Sequence, residues 1–350
     1  MIDWLSVRIP VRLPAPIAGG HTVKLDREGA VVLTTPHRLM VEGSFSSSLS
    51  IRAPSIGELE ISGNLAKWLA GHNLWGSDCP ISLLWAALER LEGMPGVLPG
   101  SLSSIGLDGP ASLGATILTR IDCTGMLLLD ALADVRAFLR SAELTGRMTH
   151  RGRGVMDEGT LVFGHARGKA FTRSQIVMYA KGPETLKHRL PDFMMTDPEV
   201  RSWVDRCLRV EVRLGRLELQ ETGLRLLSNW REGIALQVWE QAMAKLTFSE
   251  ADQQIDLMAI PKKFRGTYAA WETGRDCRQL LSKTTFYLHR SEIRKLTGVD
   301  IAIPPAPVSA SNVVSLTEVL AARWADRPEW AGRIEAALRD GGAIVLPFAA

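Results

Sequence analysis

The chain has 350 residues, of which 46% are hydrophobic and 23% charged, and its formal net charge is +3 at pH 7. This composition excludes wholesale disorder and supplies enough apolar side chains for a buried core. The length favours two domains, or one large domain with an appendage. The richest apolar run, 126–132, is interrupted by Asp130, so no membrane span is expected. Because the four cysteines are scattered and no signal-peptide pattern opens the chain, we expect no disulfide framework and a cytoplasmic protein.

The first 63 residues predict short strands, because apolar and polar side chains alternate in several segments. Asn64 is then expected to cap a helix. The predicted elements of this part are strands at 7–13, 30–34, 48–52 and 58–63, followed by helices at 65–70 and 81–92.

Strands and helices continue to alternate irregularly up to residue 247. The predicted elements are a strand at 115–124, a helix at 130–143, hairpin arms at 160–164 and 175–180, a strand at 209–214 and helical stretches within 216–247. This order lacks a regular βαβ repeat. It therefore predicts an α+β fold, in which helices pack on an antiparallel sheet.

The character of the chain changes at Ile260. Three short predicted helices with intervening turns indicate a helix-turn-helix-like unit, and a Pro-rich linker and one tail helix follow it. These helices are expected at 265–273, 276–281, 284–296 and 315–338. The domains predicted from this organisation are 1–250, 251–303 and 304–350.

Basic residues are concentrated in the middle of the chain. Between Arg136 and Arg189, eleven Lys and Arg residues accompany four acidic ones, which gives this segment a charge of +7 and leaves −4 for the rest. A basic segment in a mildly acidic chain is typical of a polyanion partner. The alternative is a solvated cationic face without a partner.

Tyr179 is the candidate nucleophile among only three tyrosines in the chain. It ends a predicted strand inside the basic segment, and residues two apart on a strand share a face, so Lys181 is expected beside it. A neighbouring ammonium group favours the phenolate and can neutralise a phosphate, as attack on a DNA phosphodiester requires. The alternative is a packing tyrosine with a solvated hydroxyl.

Three carboxylates stand among apolar neighbours on predicted strands: Glu60, Asp122 and Glu211. If several converge on one sheet face, they form a hard-oxygen site suited to Mg²⁺ or Mn²⁺. The alternative pairs Asp122 and Glu211 with arginines two residues away on the same strands. His72 follows a predicted helix, and it either adds an imidazole to such a site or only packs there.

Two groups of residues are candidates for DNA contact. A flexible cationic loop around 151–154 can follow a DNA backbone, and the third helix of the C-terminal unit begins where a recognition helix presents side chains to DNA. A purely structural three-helix appendage is the alternative for the second group. The candidates are Arg147, Arg151, Arg153, Arg167, Lys169 and Arg173 in the first group and Lys283, Thr285, His289 and Arg290 in the second.

Ordered blocks along nearly the whole chain resemble the gene II / gene X replication initiators of filamentous phages. The resemblance is carried by MIDWLSVRIP, VEGSFSSSL, LEISGNLAKWLAGHNLWGSD, LTRIDCT, HRGRG, TLVFG, VMYAKGPE, LRVEVRLGRLEL, TYAAWETGRDCRQLLSKTTFYLHR, NVVSL and DRPEW.

The resemblance implies a Rep-like nuclease that starts rolling-circle replication in the cytoplasm of a bacterial host. A strand-end tyrosine of that family attacks the origin phosphodiester, stays linked to the 5′ phosphate and releases a 3′ hydroxyl that primes the host polymerase. Tyr179 occupies that position, followed by Lys181 and Glu184 at the family spacing. A host helicase and polymerase are then expected partners, with origin DNA as the substrate.

The family is usually grouped with the HUH endonucleases, but the His–apolar–His pair of that group is absent from this sequence. The resemblance therefore implies that Glu60, Asp122 and His72, which lie in the matched blocks, hold the Mg²⁺ or Mn²⁺, with His165 as a weaker substitute. The block contains one tyrosine, so a second strand transfer must reuse Tyr179, come from another subunit or use water. Shorter forms within the family indicate an alternative function, in which a non-catalytic origin-binding protein represses or modulates replication.

Overall fold

The computed structural model describes residues 1–43, 46–164, 171–248, 260–297, 299–303 and 324–346. The strands within these ranges are β1 (Ile2–Pro10), β2 (His21–Leu25), β3 (Val31–Pro36), β4 (Leu39–Glu42), β5 (Ser48–Ser55), β6 (Glu58–Gly63), β7 (Ile117–Leu128), β8 (Gly146–Met148), β9 (Gly152–Arg153), β10 (Val155–Asp157), β11 (Thr160–Phe163), β12 (Ser174–Ala180), β13 (Cys207–Gly215) and β14 (Leu246–Phe248).

The α-helices of the described residues include most of those that the sequence predicts. They are α1 (Leu65–Ala70), α2 (Pro80–Glu92), α3 (Leu132–Thr145), α4 (Lys181–Lys187), α5 (Asp192–Thr196), α6 (Pro198–Arg206), α7 (Arg216–Glu221), α8 (Ile234–Met243), α9 (Lys262–Glu272), α10 (Cys277–Leu280), α11 (Lys283–Thr297) and α12, which is Ala331–Asp340. None of the described helices is long and apolar enough to cross a membrane.

A large antiparallel sheet organises the described part of the chain. Its nine strands there follow the order β10-β11-β12-β13-β7-β1-β6-β5-β4, and each neighbouring pair is antiparallel. Two smaller sheets, β14-β8-β9 and β2-β3, lie outside it. The predicted α+β class with an antiparallel sheet is confirmed, whereas the Rep-like character of this domain stays a prediction.

Apolar and charged side chains alternate along the strands, so the two faces of the sheet differ in polarity. On β13, Leu208, Val210, Val212 and Leu214 belong to the main hydrophobic core, and the intervening side chains are charged. Helices α1, α2, α3 and α8 contribute apolar side chains to that same core. The opposite face carries the charged side chains, and we call it the polar face. Because cross-strand partners lie on one face, the strand register identifies its other members.

The turn from β6 into α1 follows the sequence prediction closely. The Asn64 side chain accepts a hydrogen bond from the Lys67 backbone N–H at 2.8 Å, which caps the helix. Gly71 ends the helix at φ 82°, a left-handed conformation that glycine adopts without strain. This short helix positions the loop that carries His72 and Asn73.

The C-terminal segment packs back onto the sheet. Ile334 and Leu338 of α12 form a second hydrophobic cluster with Trp75, Trp203 and Met126. The sequence predicts a helix over 315–338, but residues 324–330 are not helical and α12 begins at Ala331. Pro328 explains the difference, since proline disfavours the helical conformation in the residue before it. The part of that prediction before residue 324 lies outside the described residues.

Helices α9, α10 and α11 share a small core of their own, to which Phe264, Tyr268, Phe286 and Ile293 contribute. These are the three short helices that the sequence predicts between 265 and 296. Their assignment as a helix-turn-helix-like DNA-binding unit, and the predicted domain boundaries, stay predictions.

Candidate active site on the polar face of the sheet

Tyr179 lies near the C-terminal end of β12, half-buried on the polar face. Its backbone is opposite Thr160 on β11 and Arg209 on β13. The phenol donates a hydrogen bond of 2.6 Å to Glu211 Oε1. The strand therefore holds the hydroxyl in a fixed position against a carboxylate.

The surroundings of Tyr179 keep its phenol protonated. Burial raises the pKa of Tyr179 well above its ordinary value, and the charge of Glu211 raises it further. Arg209 acts in the opposite direction but does not outweigh them. The phenol consequently needs a proton acceptor before it can act as a nucleophile.

Glu211 is the proton acceptor that the geometry offers. Arg209 Nε lies 3.2 Å from Oε1, and Arg213 Nη2 lies 2.7 Å from Oε2. Burial by itself would raise the pKa of Glu211, but these two guanidinium groups hold it well below its ordinary range. Glu211 is therefore a carboxylate that is paired on both oxygens, one of which also binds the tyrosine.

Arg209 is fully buried and connects the site to the loop after α1. Its Nη2 lies 2.8 Å from Asp3 Oδ1, and its Nη1 donates to the backbone oxygen of Asn73 at 2.5 Å. The Asn64 and Asn73 side chains both donate to the same oxygen of Asp3. This network fixes Arg209, and Arg209 in turn orients Glu211. Asp3, Asn73 and Arg209 are not predicted from the sequence as site residues, and only the alternation in RVEVRL points toward Arg209.

The sequence predicts that Lys181 projects beside Tyr179, but the structure places it elsewhere. The strand ends at Ala180, and Lys181 is the first residue of α4, where the backbone turns and the two-residue rule no longer applies. Its buried ammonium donates to Glu184 Oε2 at 2.6 Å and to Asn73 Oδ1 at 2.9 Å. The cation that shares an oxygen of Glu211 with the phenol is Arg209 rather than Lys181.

Asp122 lies on the polar face close to Glu211. Arg120 binds it through two hydrogen bonds of 2.8 and 2.6 Å, and Arg213 Nε lies 3.5 Å from Oδ2. Burial raises the pKa of Asp122 to about 6, although the hydrogen bond from Arg120 lowers it. The same-strand ion pairs that the sequence offers as an alternative, Arg120–Asp122 and Arg209–Glu211, are confirmed. Arg213 then links the two carboxylates.

Glu60 belongs to a different cluster, on β6. Arg52 Nε and Arg38 Nη2 donate to its Oε2 at 2.7 and 2.8 Å, and Arg8 Nε lies 3.6 Å from Oε1. Burial would raise the pKa of Glu60, but the hydrogen bond from Arg52 and the nearby arginine charges leave it below its ordinary value. Both oxygens of this carboxylate are therefore engaged by cations.

His72 is buried beside Trp75, with their ring centroids 4.5 Å apart. Its Nδ1 accepts a hydrogen bond from the Leu74 N–H at 3.2 Å. Burial, together with the charge of Lys181, lowers the pKa of His72 to about 3, so the imidazole is neutral. This is the packing role that the sequence gives as the alternative.

The expected metal ligands do not converge. No group of three His, Cys, Asp or Glu side chains that could hold a metal ion occurs among the described residues. Glu60 and Asp122 are saturated by arginines, whose positive charges also repel a cation. As arranged, Glu60, Asp122 and His72 do not fit a shared Mg²⁺ or Mn²⁺ site. His165, the weaker substitute, lies outside the described residues.

The basic loop candidates are only partly described, since Arg167 and Lys169 lie outside the described residues. Arg147 and Arg153 pair across β8 and β9, and Arg151 lies in the turn between these strands. All three are exposed, as a backbone-contacting loop requires. Arg173 instead forms an ion pair with Glu221 at 2.7 Å.

The candidates in α11 fall into two pairs. Lys283 is exposed at the start of the helix and Thr285 is half-buried near it. His289 contacts Thr267 Oγ1 at 2.7 Å, and Arg290 binds Asp300 through two hydrogen bonds of 2.6 Å. The second pair therefore makes structural contacts within the helical unit.

A cavity of about 880 Å³ opens at Tyr179. Basic and acidic side chains both line it: Arg136, Arg140, Lys187 and Arg213, with Glu143, Asp157, Glu158 and Glu184. The nucleophile candidate is thus accessible from a cleft of mixed charge, although most of its ring is enclosed.

Comparisons with known proteins identify the family to which the chain belongs. Residues 1–233 match the family of N-terminal regions of the gene II replication-associated protein, and residues 252–333 match its C-terminal counterpart. The chain is 32% identical over 340 residues to the replication-associated protein of this family from Enterobacteria phage I2-2, a match that covers 94% of this chain and 95% of that relative. The chain belongs to the gene II family of phage replication initiators.

Membership in the gene II family confirms the resemblance seen in the sequence and assigns the chain to the initiation of phage DNA replication. No solved structure matches the chain. The roles of individual side chains therefore depend on the geometry of the polar face.

Proposed function

We propose that the protein nicks one strand of the phage origin, with Tyr179 as the nucleophile. The phenol oxygen bonds to phosphorus while the bond from phosphorus to the 3′ oxygen breaks. The 5′ phosphate then remains on Tyr179, and the leaving 3′ oxygen takes a proton from solvent and becomes a priming hydroxyl. The observation that carries this proposal is the 2.6 Å hydrogen bond from Tyr179 to Glu211 at the opening of a cavity whose lining includes Arg213.

Glu211 Oε1 takes the phenol proton in this reaction. A candidate base must lie within hydrogen-bond reach of the proton that it abstracts, and Glu211 meets that condition before any substrate binds. Arg209 keeps the carboxylate in position because its own contacts with Asp3 and Asn73 fix it. Arg209 is thus a positioning residue.

Arg213 links DNA binding to this proton transfer. Its side chain is 29% exposed, whereas that of Arg209 is fully buried, so Arg213 is the guanidinium that an entering phosphate can reach. When the phosphate draws Arg213 away from Glu211, the carboxylate loses a stabilising charge and becomes a stronger base. Substrate binding thereby helps to activate the tyrosine, and Arg213 also offsets the charge that develops on phosphorus.

The requirement for Mg²⁺ or Mn²⁺ stays a prediction from the family resemblance, and neither the proton transfer nor the attack on phosphorus is routed through a metal in this scheme. Since Glu60 is held by arginines, it supplies no ligand. Origin DNA is the proposed substrate, and the host helicase and polymerase are proposed partners that act on the nicked product.

The experiment compares wild type with Tyr179→Phe on a supercoiled plasmid that carries the phage origin, with Mg²⁺, Mn²⁺ or EDTA. Wild type should give nicked circles with protein on the 5′ end, and Tyr179→Phe should give neither. Tyr287→Phe is the matched control, because Tyr287 is 54% exposed on α11. If wild type binds the origin but leaves the plasmid intact, the protein is a non-catalytic origin-binding protein instead. Nicking by Tyr179→Phe would remove Tyr179 as the nucleophile.

A further inference from the structure

A second, smaller cavity lies on the polar face, away from Tyr179. It has a volume of about 330 Å³ and is lined by Arg8, Arg38, Arg52 and Arg216 around Glu60. We call it the arginine pocket. Neither the sequence patterns nor the family membership assigns these arginines a role.

The arginine pocket has an excess of positive charge. Four guanidinium groups line it, and the acidic side chains that pair with them are Glu60 and, at 3.9 Å from Arg8, Glu58. Arg8 and Arg38 remain 48% and 40% exposed despite their contacts with Glu60. Glu60 thus holds the guanidinium groups together while their outer N–H groups face solvent. Convergent, partly exposed arginines of this kind bind phosphate groups well.

The strand register gives the distance between the arginine pocket and the active site. Arg8 on β1 is opposite Glu60 on β6 and Ile117 on β7, whereas the row of Tyr179 crosses β7 at Met126. With strands about 4.8 Å apart and a rise of about 3.4 Å per residue, the two sites are on the order of 30 Å apart, diagonally across the sheet.

Charged and aromatic side chains lie along that diagonal. Arg213 and Asp122 are cross-strand partners, and so are Asp122 and Trp4. The Arg120 guanidinium lies 4.8 Å from the Trp4 ring centroid and 5.9 Å from that of Phe171. Trp4 and Phe171 are both half-buried, so part of each ring faces the solvent side. Arginines that alternate with aromatic rings are typical of surfaces on which unpaired bases stack.

We propose that the arginine pocket binds a backbone phosphate of the single DNA strand whose scissile phosphate lies at Tyr179. The strand crosses the polar face diagonally, past Arg120 and Trp4. A single strand fits this surface better than a duplex, because aromatic rings can stack only on bases that are unpaired. This inference deepens the proposed nicking function and rests on it for the position of the cut.

The test measures binding of fluorescent single-stranded origin oligonucleotides to the full chain in a Tyr179→Phe background, so that no cutting is needed. A DNA strand advances about 3.4 Å per nucleotide at helical spacing, so about nine nucleotides span the distance to the pocket. Oligonucleotides that extend about 3 or about 12 nucleotides from the cut, on either side, are compared. On one side, the longer oligonucleotide should bind more tightly.

Arg8→Gln/Arg38→Gln should abolish most of that gain and flatten the slope of log affinity against log salt by about 0.7 for each phosphate that is no longer neutralised. The control is Arg231→Gln, which removes an exposed arginine near the start of α8 on the opposite side of the sheet. Thermal unfolding of each variant shows whether it is folded. If a folded Arg8→Gln/Arg38→Gln protein keeps both the affinity gain of the longer oligonucleotide and the salt slope, the arginine pocket does not bind the strand.

The two proposals fail separately. If wild type nicks the origin plasmid but Arg8→Gln/Arg38→Gln binds long oligonucleotides like its parent, only the pocket is wrong. If the pocket variants lose the length effect but wild type does not nick, the nicking proposal is wrong, while phosphate binding in the arginine pocket still holds.

Discussion

At the residue scale, the decisive contact is that between the Tyr179 phenol and Glu211 Oε1. Glu211→Gln keeps the shape of the side chain but removes the proton acceptor. General-base catalysis contributes about 10²–10⁴-fold to rates, so we expect single-turnover nicking to slow by that factor. Origin binding should persist, since Arg213 then becomes more available to phosphate.

The control for this variant is Glu240→Gln, which changes an exposed glutamate of α8. It should nick like wild type. Nicking by Glu211→Gln at a rate within about threefold of wild type, far less than the slowing expected on removal of a general base, would show that Glu211 does not accept the proton.

Asp122 makes stability depend on pH in a direction that is unusual for a carboxylate. Burial raises its pKa to about 6 from an ordinary value of 3.8, so the folded protein binds the proton more tightly than the unfolded chain. Stability from this group is therefore fully present below about pH 4 and is lost as the pH rises toward 6. A shift of this size corresponds to on the order of 3 kcal/mol.

The measurement is the free energy of unfolding of wild type and Asp122→Asn between about pH 4 and about pH 7, the range in which the raised pKa acts. The loss with rising pH should be larger in wild type, because the amide side chain of the variant cannot ionise. Carboxylates distant from Asp122 contribute equally to both proteins and cancel in the difference. Parallel curves would show that burial does not perturb Asp122.

The sequence identifies some of these residues and not others, for a physical reason. Tyr179 stands out because tyrosine is scarce and this one ends a strand in a basic segment. Alternation also places Arg209 and Glu211 on one face. Their contacts with Asp3 and Asn73, however, join segments that are far apart in the chain, and only the folded register brings these together.

At the scale of elements, the junction between β12 and α4 changes the interpretation of Lys181. Its ammonium is buried and binds Asn73 and Glu184, so it holds α4 against the loop after α1. Lys181→Met should lower the free energy of unfolding by about 3 kcal/mol, because its partners are left unpaired in a buried site. Chemical denaturation measures this loss.

Lys187→Met on the same helix is the control. Lys187 pairs with Glu158 at the surface, where such ion pairs contribute about 0–1 kcal/mol, so stability should hardly change. If Lys181→Met were as stable as wild type but unable to nick, Lys181 would act on the phosphate as the sequence predicts.

Element bounds could be predicted best where local signals are strong. Strand β6 and helix α1 match the sequence prediction because alternation, the Asn64 cap and Gly71 all mark their ends. The end of β12 has no such signal: Lys181 continues the alternation, and the helix begins without a capping side chain. The sequence pattern therefore predicts Lys181 on the strand face of Tyr179, although the helix begins there.

At the scale of the whole molecule, the described residues offer three surfaces for DNA: the polar face of the sheet, the basic loop around 151–154, and the helical unit of α9, α10 and α11. Of the candidates in that unit, Lys283 is exposed, whereas Arg290 is bound to Asp300 through two hydrogen bonds. If the unit contacts the DNA backbone, Lys283→Gln should flatten the salt slope of duplex origin binding by about 0.9.

Arg290→Gln is the contrasting variant and should act through stability instead. It leaves the Asp300 carboxylate with the Ala302 N–H and the more distant Arg294, so thermal unfolding should occur at a lower temperature while the salt slope below that temperature stays unchanged. Lys283 and Arg290 lie about two turns apart on one helix and therefore on the same side of it. If Lys283→Gln has the same salt slope as wild type, the helical unit is a structural appendage. DNA is then recognised by the sheet and the basic loop.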